Sequence, residues 1–146
     1  MTYWDTSALL KLYVLEKDSA YFRHLVSESS QALLTADIAK EEVLCTLYRK
    51  EFEGDLQVGA ATTLFATFEA DIQQGRIVIV SKGADVLAEA KKVLKAAYAE
   101  SPPLFIRSLD AIHVASALSV KAATLVATDK RLRETAELMG LNVLPE

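Results

Sequence analysis

The chain has 146 residues, about half of them hydrophobic and a quarter charged, enough for one domain that buries its own core without a disulfide or a structural metal. A formal net charge of −4 excludes the broadly basic balance by which many nucleic-acid-binding domains are recognised, so any such role has to rest on a local patch. Cys45 is the only cysteine, which rules out an internal disulfide and a thiolate metal site and points to a reducing compartment.

Short apolar runs alternate with helical patterns along the chain. Tyr3-Trp4 reads as a brief strand, Ala8 to Val14 and Ser19 to Ser27 as short helices, and Ala32 to Leu34 as a strand. Ile38 to Phe52 reads as a helix stopped by Gly54. On its wheel Leu44, Cys45, Tyr48 and Phe52 form an apolar arc, with Glu41 near its centre and Glu42 at its edge. Val58 to Ile72 sets Val58, Ala61, Leu64, Phe65, Phe68 and Ile72 on one face and ends before Gly75. Ile77 to Val80 is the clearest strand: short, β-branched and bounded by Gly75 and Gly83. Val86 to Tyr98 repeats Leu87, Ala90, Leu94 and Ala97 at helical spacing until Ser101-Pro102-Pro103 breaks it. Ser108 to Val120 is an alanine-rich helix with Ser108 as its expected cap. Thr124 to Val126 is a strand, Lys130 to Met139 a helix closed by Gly140, and Asn142 to Leu144 a last strand.

Strands that alternate with helices imply right-handed crossovers and a parallel sheet covered on both faces. Ligands bind such sheets beyond the carboxyl ends of their strands. Residues 1–146 are expected to form a single domain. No run approaches the ~18 apolar residues of a membrane helix, and no basic segment followed by an apolar one opens the chain, so a cytoplasmic protein is expected.

Three aspartates recur in similar settings. Asp5 follows the first strand, Asp129 follows the fourth, and Asp110 lies in the first turn of its helix. Each alone reads as a helix cap or a first-turn acid. Together, on a parallel sheet, Asp5 and Asp129 project at one edge, where clustered carboxylates repel unless a cation sits between them. Oxygen-only ligands suit a hard divalent ion. A fourth acid has to come from the helix Ile38 to Phe52, where the pattern leaves Glu41 and Glu42 both open.

At this point Tyr3-Trp4-Asp5-Thr6-Ser7-Ala8-Leu9, Glu42-Val43-Leu44 with Leu47-Tyr48-Arg49, Leu109-Asp110-Ala111-Ile112-His113-Val114-Ala115 and Thr128-Asp129-Lys130-Arg131-Leu132 follow one another in an order and spacing that resembles the PIN-domain family, and within it the VapC-type toxins of toxin–antitoxin pairs. The closing Gly140-Leu141-Asn142-Val143-Leu144 is similar too. The resemblance implies a three-layer α/β/α sandwich with a central parallel sheet and Mg²⁺- or Mn²⁺-dependent endonucleolytic cleavage of RNA. It places the family's acids on Asp5, Glu42, Asp110 and Asp129, thereby choosing Glu42 over Glu41, and its small hydroxyl residue on Ser7. Two positions depart from it: Ala127 stands where many relatives carry Thr, with Thr128 beside the acid instead, and Ala36 stands where relatives often carry Ser.

The roles expected from this are Asp5 and Asp110 as direct metal ligands, with Glu42 and Asp129 acting through waters or a second ion. Ser7 and Thr128 are supporting hydroxyls. Arg49 and Arg107, and more distantly Lys130 and Arg131, are candidate contacts to RNA phosphates. His113 is expected to be a structural histidine beside the alanine-rich helix. The expected partners are an RNA substrate, a cognate antitoxin and a second copy of the chain; the apolar faces of Val58 to Ile72 and Val86 to Tyr98 are expected to be mostly core, with part of them serving the antitoxin or the second copy. Two other readings compete: an aspartyl-phosphate enzyme acting through Asp5, against which the lack of a second Asp two residues on counts, and a binding module that kept the fold without catalysis.

Overall fold

The computed structural model describes residues 1–146. Its five strands are β1 (Thr2–Trp4), β2 (Leu33–Ala36), β3 (Ile77–Val80), β4 (Thr124–Val126) and β5 (Asn142–Leu144), and they form one all-parallel sheet in the order β3-β2-β1-β4-β5. Seven helices connect them: α1 (Thr6–Tyr13), α2 (Ser19–Ser27), α3 (Ala39–Phe52), α4 (Ala60–Gln73), α5 (Ala84–Ala99), α6 (Ser108–Ser119) and α7 (Lys130–Leu138). No helix is long and apolar enough to cross a membrane.

The strands are apolar on both sides because both sides are covered. Tyr3 and Trp4 are neighbours in β1, and successive strand residues point to opposite faces. Trp4 packs with Leu33, Ile77, Val126 and the inner faces of α1 to α4, while Tyr3 packs with Leu125, Val143 and the inner faces of α5 to α7. The result is the expected α/β/α sandwich. Gly54 and Gly140, with φ of 87° and 84°, stand just beyond α3 and α7, where a side chain would be strained.

Three helical faces differ from the sequence reading. In α3 the buried stripe is Ala39, Val43 and Leu47, spaced by four residues. Cys45 and Tyr48 are exposed, and Phe52 is 93 % exposed at the helix end. The apolar arc read from the wheel is therefore mostly surface. Val58 precedes α4 and is 97 % exposed, so the face expected there begins at Ala61. In α5 Val86, Ala90, Val93 and Ala97 are buried and Leu87 turns outward. A wheel finds apolar residues but not which stripe meets the sheet, and that choice is made by packing.

Candidate active site

The chain runs β1, β2, β3 in one direction across the sheet, then returns to the other side of β1 for β4 and β5. The order thus reverses between β1 and β4, and a crevice opens beyond their carboxyl ends, the usual ligand position in sheets of this kind. Here lies a cleft of about 330 Å³. Asp5, Ser7, Glu42, Arg49, Arg107, Asp110, Thr128 and Asp129 all line it, so the four expected acids, both hydroxyl residues and two of the four expected basic residues share one place. Leu10 is the only hydrophobic residue in its wall, which suits a charged ligand. Lys130 and Arg131 are exposed and do not line it.

Asp5 and Asp129 are held by the starts of helices. Asp5 Oδ1 accepts the backbone N–H of Ala8 at 3.0 Å, and Asp129 Oδ1 accepts that of Leu132 at 3.0 Å. Both are therefore the caps that local chemistry favours, and both also face the cleft. Ser7 joins the two strand ends. Its hydroxyl lies 2.8 Å from both Asp5 oxygens, sharing its one proton between them, and accepts the N–H of Thr128 at 3.0 Å. Burial pushes the Asp5 carboxyl above the usual aspartate range; nearby His113 and the hydrogen bonds from Ala8 and Ser7 only partly oppose this.

Asp110 sits in the first turn of α6 and takes a hydrogen bond from Arg107 Nε at 3.1 Å. The N-cap of α6 is Arg107, with no side-chain cap, so Ser108 does not play the capping part expected of it. Glu42 lines the cleft from α3, while Glu41 is exposed and lies outside it. Glu42 Oε1 accepts from Thr6 Oγ1 at 2.9 Å and contacts His113 Nε2 at 2.6 Å, and His113 Nδ1 lies 2.8 Å from the Tyr3 hydroxyl. Burial alone would raise the Glu42 carboxyl, but the His113 and Thr6 hydrogen bonds and the charge of His113 outweigh it and hold it below the usual glutamate range. The position of His113 as a buried residue of α6 matches the sequence reading, but its direct hold on Glu42 was not foreseen. Only the fold brings these residues together, across a separation of 71 positions.

The flank of the cleft was not foreseen either. Lys11, Glu16, Thr46 and Lys50 also line it. Lys11 and Lys50 both pair with Glu16, Lys50 at 2.6 Å, and Lys11 pairs with Asp18 as well at 2.8 Å. Ser7 and Lys11 are one turn apart on α1, and Glu42, Thr46, Arg49 and Lys50 follow one another on α3 at helical spacing. The wall thus changes from acidic at the strand ends to basic along the two helices. The four acids offer a donor set of oxygen only, although no three His, Cys, Asp or Glu side chains converge into a ready-made metal cage.

A model of the PIN domain matches residues 2–138 of the chain. Among solved structures, VapC20 of Mycobacterium tuberculosis, described as a sarcin-ricin loop cleaving toxin, is similar with a TM-score of 0.69 at 16 % identity, over 97 % of this chain and 96 % of that one. VapBC-1 of nontypeable Haemophilus influenzae gives a TM-score of 0.67 at 15 % identity, over 98 % and 96 % of the two chains. FitAcB of Neisseria gonorrhoeae gives 0.65 at 15 % identity with the same coverage. At such identities the likeness bears on the fold alone. No curated protein matches the chain in sequence.

Proposed function

Because the chain belongs to the PIN-domain family, we propose that it is a divalent-metal-dependent endoribonuclease and the toxin of a toxin–antitoxin pair. The observation that carries this reading is the single cleft in which Asp5, Glu42, Asp110 and Asp129, drawn from four separate segments, share one wall. The basic flank supports a nucleic-acid substrate in spite of the net charge of −4, since Lys11, Arg49, Lys50 and Arg107 stand beside the acids, where phosphates of a bound strand would pass.

The donor set fits Mg²⁺ or Mn²⁺. It is oxygen only, and Asp5 is a buried carboxylate held by a hydroxyl and a backbone N–H with no lysine or arginine paired to it. An open arrangement suits Mg²⁺, which takes one or two carboxylates and leaves its other positions to water and phosphate. When bound, such an ion makes water a better nucleophile and offsets charge that develops on the phosphate. In this reading Asp5 and Asp110 would hold it directly, and Glu42 and Asp129 would act through waters or a second ion. Ser7 keeps Asp5 in register with the end of β4. Arg107, 73 % exposed and paired with Asp110, can turn from that acid to a substrate phosphate. The reaction proposed is in-line displacement at phosphorus, leaving a 5′-phosphate and a 3′-hydroxyl.

The likeness to VapBC-1 and FitAcB supports a cognate antitoxin as partner; a homodimer and a cytoplasmic location complete the proposal. The exposed Tyr48, Phe52 and Val58 on and beside α3 are apolar surface available to such partners. The test is to sequence the RNA ends produced when wild type and Asp5→Asn are expressed in parallel. New 5′-phosphate ends should appear with wild type only. Identical ends from both proteins would remove Asp5 from the reaction, and no new ends from wild type would defeat the nuclease reading.

A further inference from the structure

His113 is 1 % exposed and has no part in the reaction above. Its ring starts from α6, on one face of the sheet, and ends against Glu42 of α3, on the other, with Thr6 Oγ1, just beyond β1, 3.3 Å from Nε2. We infer that His113, set by the Tyr3 hydroxyl, is a positioning residue that grips one oxygen of Glu42 so that the other faces the ligand in the cleft. The inference rests on the nuclease reading.

The geometry determines which atoms carry the protons. Glu42 Oε1 can only accept, so the 2.6 Å contact places the proton on His113 Nε2. Nδ1 faces the Tyr3 hydroxyl 2.8 Å away, which donates to it when the ring is neutral and accepts from it when the ring is charged, so Tyr3 orients the ring in either state. Thr6 donates to the same Oε1 at 2.9 Å. Two donors on one oxygen leave Oε2 without a protein donor, and Glu42 cannot rotate without breaking both bonds. Tyr3 is fully buried, so water cannot replace it behind the ring. A histidine that merely filled space would need neither partner.

The experiment compares wild type, His113→Asn and His113→Gln by Mn²⁺ calorimetry, by RNA cleavage across a range of Mn²⁺ concentrations and by thermal unfolding. Gln carries its amide nitrogen near the place of Nε2, whereas Asn carries it near Nδ1. His113→Asn should weaken Mn²⁺ binding about tenfold and raise the Mn²⁺ needed for half-maximal cleavage by the same factor, as loss of an outer hydrogen-bond partner does. His113→Gln should stay within about threefold of wild type, well short of that loss. In a Glu42→Gln background the Asn change should add less than about twofold, because residues that act through one another are not additive. Equal losses for Asn and Gln, a lower Tm with unchanged Mn²⁺ affinity, or a full additional loss in the Glu42→Gln background would each overturn the inference. The ¹⁵N shifts of the wild-type ring give an arm independent of variant folding: Nε2 should carry the proton, and a ring protonated on Nδ1 alone overturns the assignment. If wild type binds Mn²⁺ and cleaves RNA while these tests fail, only the role of His113 falls. If wild type does neither, the nuclease reading falls with it.

Discussion

Asp5 and Asp129 occupy the same local position in two different environments. Each comes after a strand of the sheet, each has extended backbone, and each offers Oδ1 to the N–H three residues on at 3.0 Å. Locally they are the same device, a helix cap. Asp5, however, follows the central strand and is 4 % exposed, whereas Asp129 follows the next strand out and is only half-buried. Burial makes the charge of Asp5 costly, and the fold carries that cost at the place where a cation would be drawn in. One sequence motif can thus give two unequal acids, and the inequality is tertiary.

Four measurements test how far burial separates the two aspartates. The largest effect is on cleavage. With Asp5 as a direct ligand and Asp129 behind it, Asp5→Asn should lower the rate of RNA cleavage roughly a hundredfold or more, and Asp129→Asn about tenfold, within the range for outer partners. Equal losses in a single-turnover assay would show that burial does not rank the two. Ser7→Ala comes next. It removes the link between Asp5 and the N–H of Thr128 and should slow cleavage about tenfold while costing about 1 kcal/mol of stability, measured by urea unfolding.

Stability should then move in opposite directions at the two positions. Asn caps a helix as well as Asp does, so Asp5→Asn removes a buried charge and keeps the cap. Its Tm should rise by about 2–4 °C, the shift that ~1 kcal/mol produces in a domain of this size. Asp129→Ala loses a cap worth ~1 kcal/mol and should lower Tm by about as much. A lower Tm for Asp5→Asn would mean that the buried carboxylate is compensated after all.

The smallest effect is the pH dependence of these differences in metal-free protein. Asp5 has a raised pKa when folded, so its charge costs stability in full above that pKa. As pH falls through it toward the ordinary aspartate range, Asp5 takes up a proton and the gap to Asp5→Asn should close by stabilisation of the wild type. Glu42 has a lowered pKa, so its charge stabilises the fold in full above the ordinary glutamate range. That advantage over Glu42→Gln should vanish as pH falls through its folded pKa. Urea unfolding at a series of pH values checks both signs, and gaps of the same sign would refute the contrast.

Much of this was legible in the residues. The strands Ile77–Val80, Thr124–Val126 and Asn142–Leu144 follow from short β-branched or apolar runs between turn signals, and their bounds coincide with those expected. Alternation of strand and helix gave the parallel sheet, and the position of each acid just after a strand or in a first turn gave one edge. What could not be read was the order of the strands, on which the crevice between β1 and β4 depends. The buried face of α3 was misread because Leu44, Cys45, Tyr48 and Phe52 make as continuous an apolar stripe as Ala39, Val43 and Leu47, and only packing against the sheet distinguishes the two. The Lys11–Glu16–Lys50 cluster had no signal at all, since Glu16 and Lys50 lie 34 positions apart.

By itself, then, the chain of residues determined its local elements, its caps and the chemical kind of the candidate site, because hydrogen-bonding preference, hydrophobic period and charge are properties of short segments. Tertiary structure alone decided that Asp5 would be buried and Asp129 half-exposed, and that Tyr3 and His113 would reach Glu42 across the sheet edge. Burial and contact between distant segments exist only once the layers have packed, and those are the quantities that set a carboxylate's charge and direction.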